Sequence, residues 1–91
     1  DEGRGEDASR YFEESLTILL QLVEAEPKRA AFRRDLAALY MNISESVGIR
    51  HRKRYLRLVL DTLRPIRDRG VKDKRVEELW QMASEALGKG R

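Results

Sequence analysis

Leu, Ile, Val, Phe and Tyr recur along this chain at three- and four-residue steps, in four blocks punctuated by proline and glycine. That period aligns side chains along one side of an α-helix, so each block predicts an amphipathic helix. The first covers 7–25. Ala8, Tyr11, Phe12, Ser15, Leu19, Leu22 and Val23 share one stripe, and Leu16 and Leu20 widen it. An apolar surface so wide predicts cover from two sides. Asp7 stands where a side-chain oxygen can accept from the free N–H groups of an opening turn, the role of an N-cap. Residues 1–6, DEGRGE, read as a flexible tail.

Pro27 stops the first helix and suits the first turn of a second, over 28–47. Phe32, Leu36, Leu39, Tyr40, Ile43 and Val47 make its apolar side, and Ala30, Ala37 and Ala38 let another helix approach closely. Gly48 then predicts a left-handed C-cap. The third helix, over 50–69, carries Leu56, Val59, Leu60, Leu63 and Ile66. Pro65 predicts a kink or break in it, and Gly70 a stop. Asp73 caps the fourth, over 73–87, whose stripe is Val76, Leu79, Trp80, Ala83 and Leu87. Gly88 closes it, and 89–91 are a tail. No segment alternates with a strand period. The expected fold is all-α: one domain over 7–88, four antiparallel helices forming a helical-repeat fragment, or alternatively a closed four-helix bundle.

Size and composition narrow this little. Ninety-one residues make one domain. The absence of Cys removes disulfides and thiolate metal sites. The longest apolar run, Leu16 to Val23, is interrupted by Thr17 and Gln21 and falls far short of the ~20 residues a bilayer span needs. There is no signal-peptide pattern, and a cytoplasmic location is expected. The chain opens on Asp1 rather than Met and reads as a piece of something longer.

Chemistry is hard to find. His51 is the single histidine, with no second ligand on its side of a helix, so no zinc site is expected. Ser44, Ser46 and Ser84 fall in helical context, without a strand-turn-helix elbow. Glu13-Glu14 and Glu77-Glu78 are sequence neighbours and point roughly 100° apart on a helix. The glycines build no phosphate-cradling loop. The chain is read as non-enzymatic, with no cofactor and no metal.

Charge is the sharper signal. Residues 1–48 hold 6 Lys/Arg against 10 Asp/Glu, and 49–91 hold 13 against 6. Within IRHRKRYLR, Arg50, Arg52, Lys53, Arg54 and Arg57 lie together with no acid among them. They start a helix, where the dipole disfavours exposed cations by roughly 0.3–1 kcal/mol each. Acids of the first helix, or Glu45, would offset this if the halves pair internally. An external anion would offset it otherwise, with Tyr55 free to stack on a base. Trp80 is either interhelix filler or part of an exposed docking face.

Several residues carry a family resemblance. Phe12-Glu13-Glu14-Ser15 matches an aromatic-acidic-acidic-small step, Glu26-Pro27 a terminating acidic-Pro, Leu36-Ala37 a Leu-small pair, and Tyr40 the aromatic that follows it. Over about 11–44 the chain resembles a degenerate tetratricopeptide-like repeat. Leu22 departs from the pattern, standing where a small residue is usual. So does Leu79-Trp80, where the next Leu-small pair is due. Leu36 and Leu79 are 43 positions apart, against a family period of about 34, and armadillo- or HEAT-type pairs also fit that spacing. The resemblance implies a scaffold for protein–protein interaction and peptide binding. Its concave surface would use Ala31, Arg34, Ala38, Met41 and Asn42, chiefly Arg34, Met41 and Asn42. Ala38 replaces the Asn of the family's carboxylate clamp, so no clamp is expected. Expected partners are another protein or peptide, flanking repeats of the same chain, or a second copy in a homodimer. An acidic partner is expected at the basic patch. The alternative is a small basic helical domain binding nucleic acid or another polyanion through 50–57, with nucleic acid behind the other partners.

Overall fold

A computed structural model describes residues 2–89, with side chains described for 9–88. It contains four helices: α1 (Glu2–Ala25), α2 (Ala30–Ser46), α3 (Ile49–Asp68) and α4 (Lys74–Lys89). No strand occurs among the described residues. Short connections make consecutive helices run antiparallel. α2 lies against α1, α3 and α4; α3 lies against α2 and α4; α1 touches α2 alone. The packing is therefore open and sequential. A closed four-helix bundle, the alternative expectation, would need α1 against α4, and among the described residues the two do not meet. The molecule is correspondingly thin, 43 × 34 × 18 Å, when two helices side by side already span roughly 20 Å.

The core follows the predicted stripes at the molecule's centre. Leu36, Leu39, Tyr40 and Ile43 of α2 bury against Leu56, Val59, Leu63 and Ile66 of α3 and Val76, Leu79 and Ala83 of α4. Burying a side chain of this size stabilises by roughly 1.5–3 kcal/mol. Ala37 is fully buried, which lets a neighbouring helix come close to α2. Met41 and Ser44 are also buried, and the Ser44 hydroxyl is satisfied by donating to the Met41 carbonyl at 2.6 Å. Leu60 is only half-buried. On α1 the stripe is narrower than expected. Phe12, Leu16, Leu19 and Val23 pack on the core, whereas Tyr11 is 63% exposed and Leu20 is also exposed.

Helix ends depart from the sequence reading in instructive ways. α1 begins at Glu2, so Asp7 is inside the helix rather than its cap, and no tail precedes it over 2–6. Extending an established helix is far easier than starting one. Gly3 and Gly5 oppose it by only about 1 kcal/mol each. Pro27 does not open α2. It sits at the second position of a turn closed by the Arg29 N–H donating to the Glu26 carbonyl at 3.1 Å, and α2 starts at Ala30. Proline's fixed φ fits that turn position as well as it fits a first helical turn. Gly48 is extended, φ −67°, and serves as the N-cap of α3 rather than a left-handed stop.

Pro65 neither ends α3 nor lies outside it; the helix continues to Asp68. Pro65 and Asp61 are both exposed, so the Asp61 carbonyl that loses its N–H partner faces water. α3 stops instead at Gly70, φ +76°, where Val71 N–H reaches the Ile66 carbonyl and Gly70 N–H the Arg67 carbonyl. That is a Schellman closure, whose left-handed position glycine occupies without steric cost. α4 runs one residue past Gly88, to Lys89; 90 and 91 of the expected 89–91 tail lie outside the described residues.

Candidate interaction surfaces

Two ends of the molecule use their arginines differently. At the end carrying the α1–α2 and α3–α4 connections, arginines hold the structure together. Arg33 donates to the Pro27 carbonyl at 2.7 Å and to the Thr62 carbonyl of α3 at 3.3 Å. Arg69 reaches the Lys28 carbonyl at 2.8 Å. Arg34 pairs with Asp73 at 2.9 Å. Asp73 meanwhile accepts from the Val76 N–H at 3.1 Å and so caps α4, as expected. The Val76 bond, with Arg34 beside it, holds the Asp73 carboxyl below its ordinary range, against partial desolvation working the other way.

At the opposite end stand Arg50, Arg52, Lys53, Arg54 and Arg57. All five are exposed, and among the described residues none enters a salt bridge or a side-chain hydrogen bond. Among the described residues α1 packs on α2 and not on α3, and none of its described acids pairs with the cluster. The one described ion pair between the two sequence halves, Arg34–Asp73, has the base in the first half and the acid in the second. The internal pairing of an acidic first half with this cluster is therefore absent from the described contacts. Positions 50, 53, 54 and 57 follow helical spacing, so they form one outward stripe over the first two turns of α3. Arg52 projects from a different side.

Tyr55 is not available to a base. Its ring lies 6.2 Å from that of Tyr40, half-buried between α2 and α3. Burial, and then proximity to Tyr55, push the Tyr40 hydroxyl above its ordinary pKa. Trp80 is half-buried and roofed by Arg67, whose guanidinium is 4.2 Å from the ring centroid while also donating to Glu77 at 2.8 Å.

Arg34, Met41 and Asn42 do not form one surface. Arg34 is committed to Asp73. Met41 is buried and lines a groove toward α3 and α4. Asn42 is exposed on the other side, in a shallow groove of about 330 Å³ between α1 and α2. That second groove also carries Tyr11 and Ile18, the latter 57% exposed.

The groove containing Met41 is the larger of these two, about 560 Å³, where the end of α2, the start of α3 and the end of α4 converge. Met41, Ile49, Leu56 and Met82 supply its apolar surface, and Ile49 is 86% exposed. Arg52 and Lys53 stand on its α3 side, and Glu45 and Glu85 on the others. Sequence reading missed Ile49 and Met82 because each lies outside the predicted core stripe and gains meaning only from its neighbours in space. Among the described residues no group of three or more His, Asp or Glu is placed to hold a metal. No described helix is long and apolar enough to cross a membrane. No family model matches the chain, and no curated protein or solved structure shows significant similarity to it.

Proposed function

We propose that this chain is a non-catalytic protein-interaction module, a tetratricopeptide-like scaffold. The observation that carries the reading is the open packing: α1 rests on α2 alone and leaves Tyr11 and Ile18 bare. Sequential helices with apolar residues left uncovered suit a scaffold that adds a partner segment to its layer. Selection of a random peptide display library on the folded protein tests it. Enrichment of related sequences that bind as free peptides is expected. Failure to enrich any sequence would reject it.

A second reading is favoured by the unpaired cluster at Arg50, Arg52, Lys53, Arg54 and Arg57. It makes α3 a contact for nucleic acid or another polyanion. The engagement of Tyr55 with Tyr40 removes the one aromatic that would stack on a base. Salt separates the two readings. Binding to phosphates weakens steeply with log salt, whereas a contact anchored by apolar side chains does so weakly.

A further inference from the structure

The outer side of α3 begins at an apolar residue and continues as a row of cations. Leu56, Val59, Leu63 and Ile66 turn one side of this helix into the core. At about 100° per residue, Arg50, Arg54 and Arg57 fall nearly opposite that side, and Lys53 stands beside them toward Ile49. From Arg50 to Arg57 the row spans roughly 10 Å of helix axis. It ends at Asp61, which Arg64 engages at 3.1 Å. No described acid pairs with the row itself. Glu45 and Glu85 line the neighbouring groove together with Arg52 and Lys53, whereas Arg50, Arg54 and Arg57 stand outside it. Ile49 is the second observation. It is 86% exposed, more than any other large apolar residue described. Ile49, Lys53 and Arg57 follow one another at four-residue steps, so Ile49 heads the same row.

We infer that the outer side of α3 docks on an anionic lipid surface. Ile49 enters the headgroup layer, and Arg50, Lys53, Arg54 and Arg57 rest against lipid phosphates and carboxylates. A convex row of cations suits a plane of negative charge, which attracts basic segments more strongly the more cations are brought near. The boundary between headgroups and acyl chains takes up an apolar side chain beside them. Nucleic acid engages the cations but leaves Ile49 in water, and Tyr55, the aromatic that would stack on a base, is occupied by Tyr40. The contact is peripheral, since no described helix is long and apolar enough to cross the bilayer. The inference rests on the anionic-partner reading of the cluster and names its ligand class.

The chain has no cysteine, so Ile49→Cys takes a single polarity-sensitive dye, and Glu24→Cys, exposed on α1, carries the same dye as a reference. The probes are phosphatidylcholine vesicles with and without phosphatidylserine, duplex DNA, and heparin, all at low salt. Unlabelled protein is expected to sediment with the phosphatidylserine vesicles and to stay free of those of phosphatidylcholine alone. The dye at 49 should shift to the blue on the phosphatidylserine vesicles, and the dye at 24 should not. Duplex DNA and heparin should leave both dyes unshifted.

Arg50→Glu with Arg54→Glu should lower partition to phosphatidylserine vesicles by at least about tenfold. Ile49→Ser, which keeps every cation, should lower it by roughly three- to tenfold. Helical circular dichroism should be retained in both variants, since all three positions are exposed. Vesicle binding that Ile49→Ser leaves unchanged, with the dye at 49 still in water, would overturn the lipid contact and reduce it to adsorption by charge, leaving the anionic-partner reading standing. Binding to DNA or heparin without binding to vesicles would do the same. Absence of binding to every one of these probes would reject both.

Discussion

The Arg34 guanidinium and the Asp73 carboxylate meet at 2.9 Å across 39 residues of sequence, and the same carboxylate caps α4 through the Val76 N–H. One side chain thus fixes where α4 begins and ties that point to α2. Asp73→Ala removes both bonds, whereas Asp73→Asn keeps an effective cap and loses the charge pair. Thermal stability should fall in the order wild type, Asp73→Asn, Asp73→Ala. A carboxyl held low in the folded state stabilises above its unfolded pKa, and that stability is lost as pH falls through the folded value. Acid titration of melting temperature should therefore bring wild type and Asp73→Asn together below the ordinary carboxylate value of 3.8. A constant gap between them would contradict this.

Leu63 is fully buried and Leu36 nearly so, on the two central helices. Leu63→Ala or Leu36→Ala should cost about 2–5 kcal/mol in denaturant unfolding. Leu60→Ala should cost clearly less, because Leu60 is half-buried on the edge of the same stripe.

Gly48 and Gly70 should respond oppositely to substitution. Gly70 needs a positive φ, and Gly70→Ala should destabilise by about 1–2 kcal/mol. Gly48 has a negative φ, an open surrounding and no side-chain cap to offer α3. Gly48→Asp supplies that cap and places an acid at the positive end of the helix, so a gain of a few tenths to about 1 kcal/mol is expected. Paired chemical-denaturation curves check both.

Arg50→Glu with Arg54→Glu reverses two exposed cations near the start of α3 that have no described partner. Folding should hold or improve, by up to about 1 kcal/mol for the charge nearest the helix end. Binding to heparin at low salt should collapse. A variant less stable than wild type would mean that the cluster is paired in solution after all.

What was legible in the sequence follows from how local each effect is. The four helices were readable because the 3.6-residue period and the Asp73 cap operate within a few residues. The helix ends were read less well, since Gly48 and Gly70 are the same residue type with opposite backbone roles. Their difference depends on Val71 and Ile66 closing a turn around one and nothing doing so around the other. Arg34 looked like a groove residue because its partner is 39 positions away. The convergence of Met41, Ile49 and Met82 had no sequence trace, as it needs α2, α3 and α4 already in place. The basic cluster was visible, but that no described acid pairs with it depends on α1 packing on α2 instead of α3.

Because α1 rests on α2 alone, it can detach without unstitching the remaining helices, whose arginine bonds and core run among α2, α3 and α4. Cooperative units with fewer shared contacts open at lower free energy than the whole. Amide protons of α1 should exchange with solvent well before those of α3, and native-state exchange in mild denaturant should show two protection classes instead of one. The side of α2 that faces α1, including Ala38 and Leu39, would then be exposed transiently. A segment resembling α1 could replace it there, so the chain would trade a helix of its own for one from elsewhere.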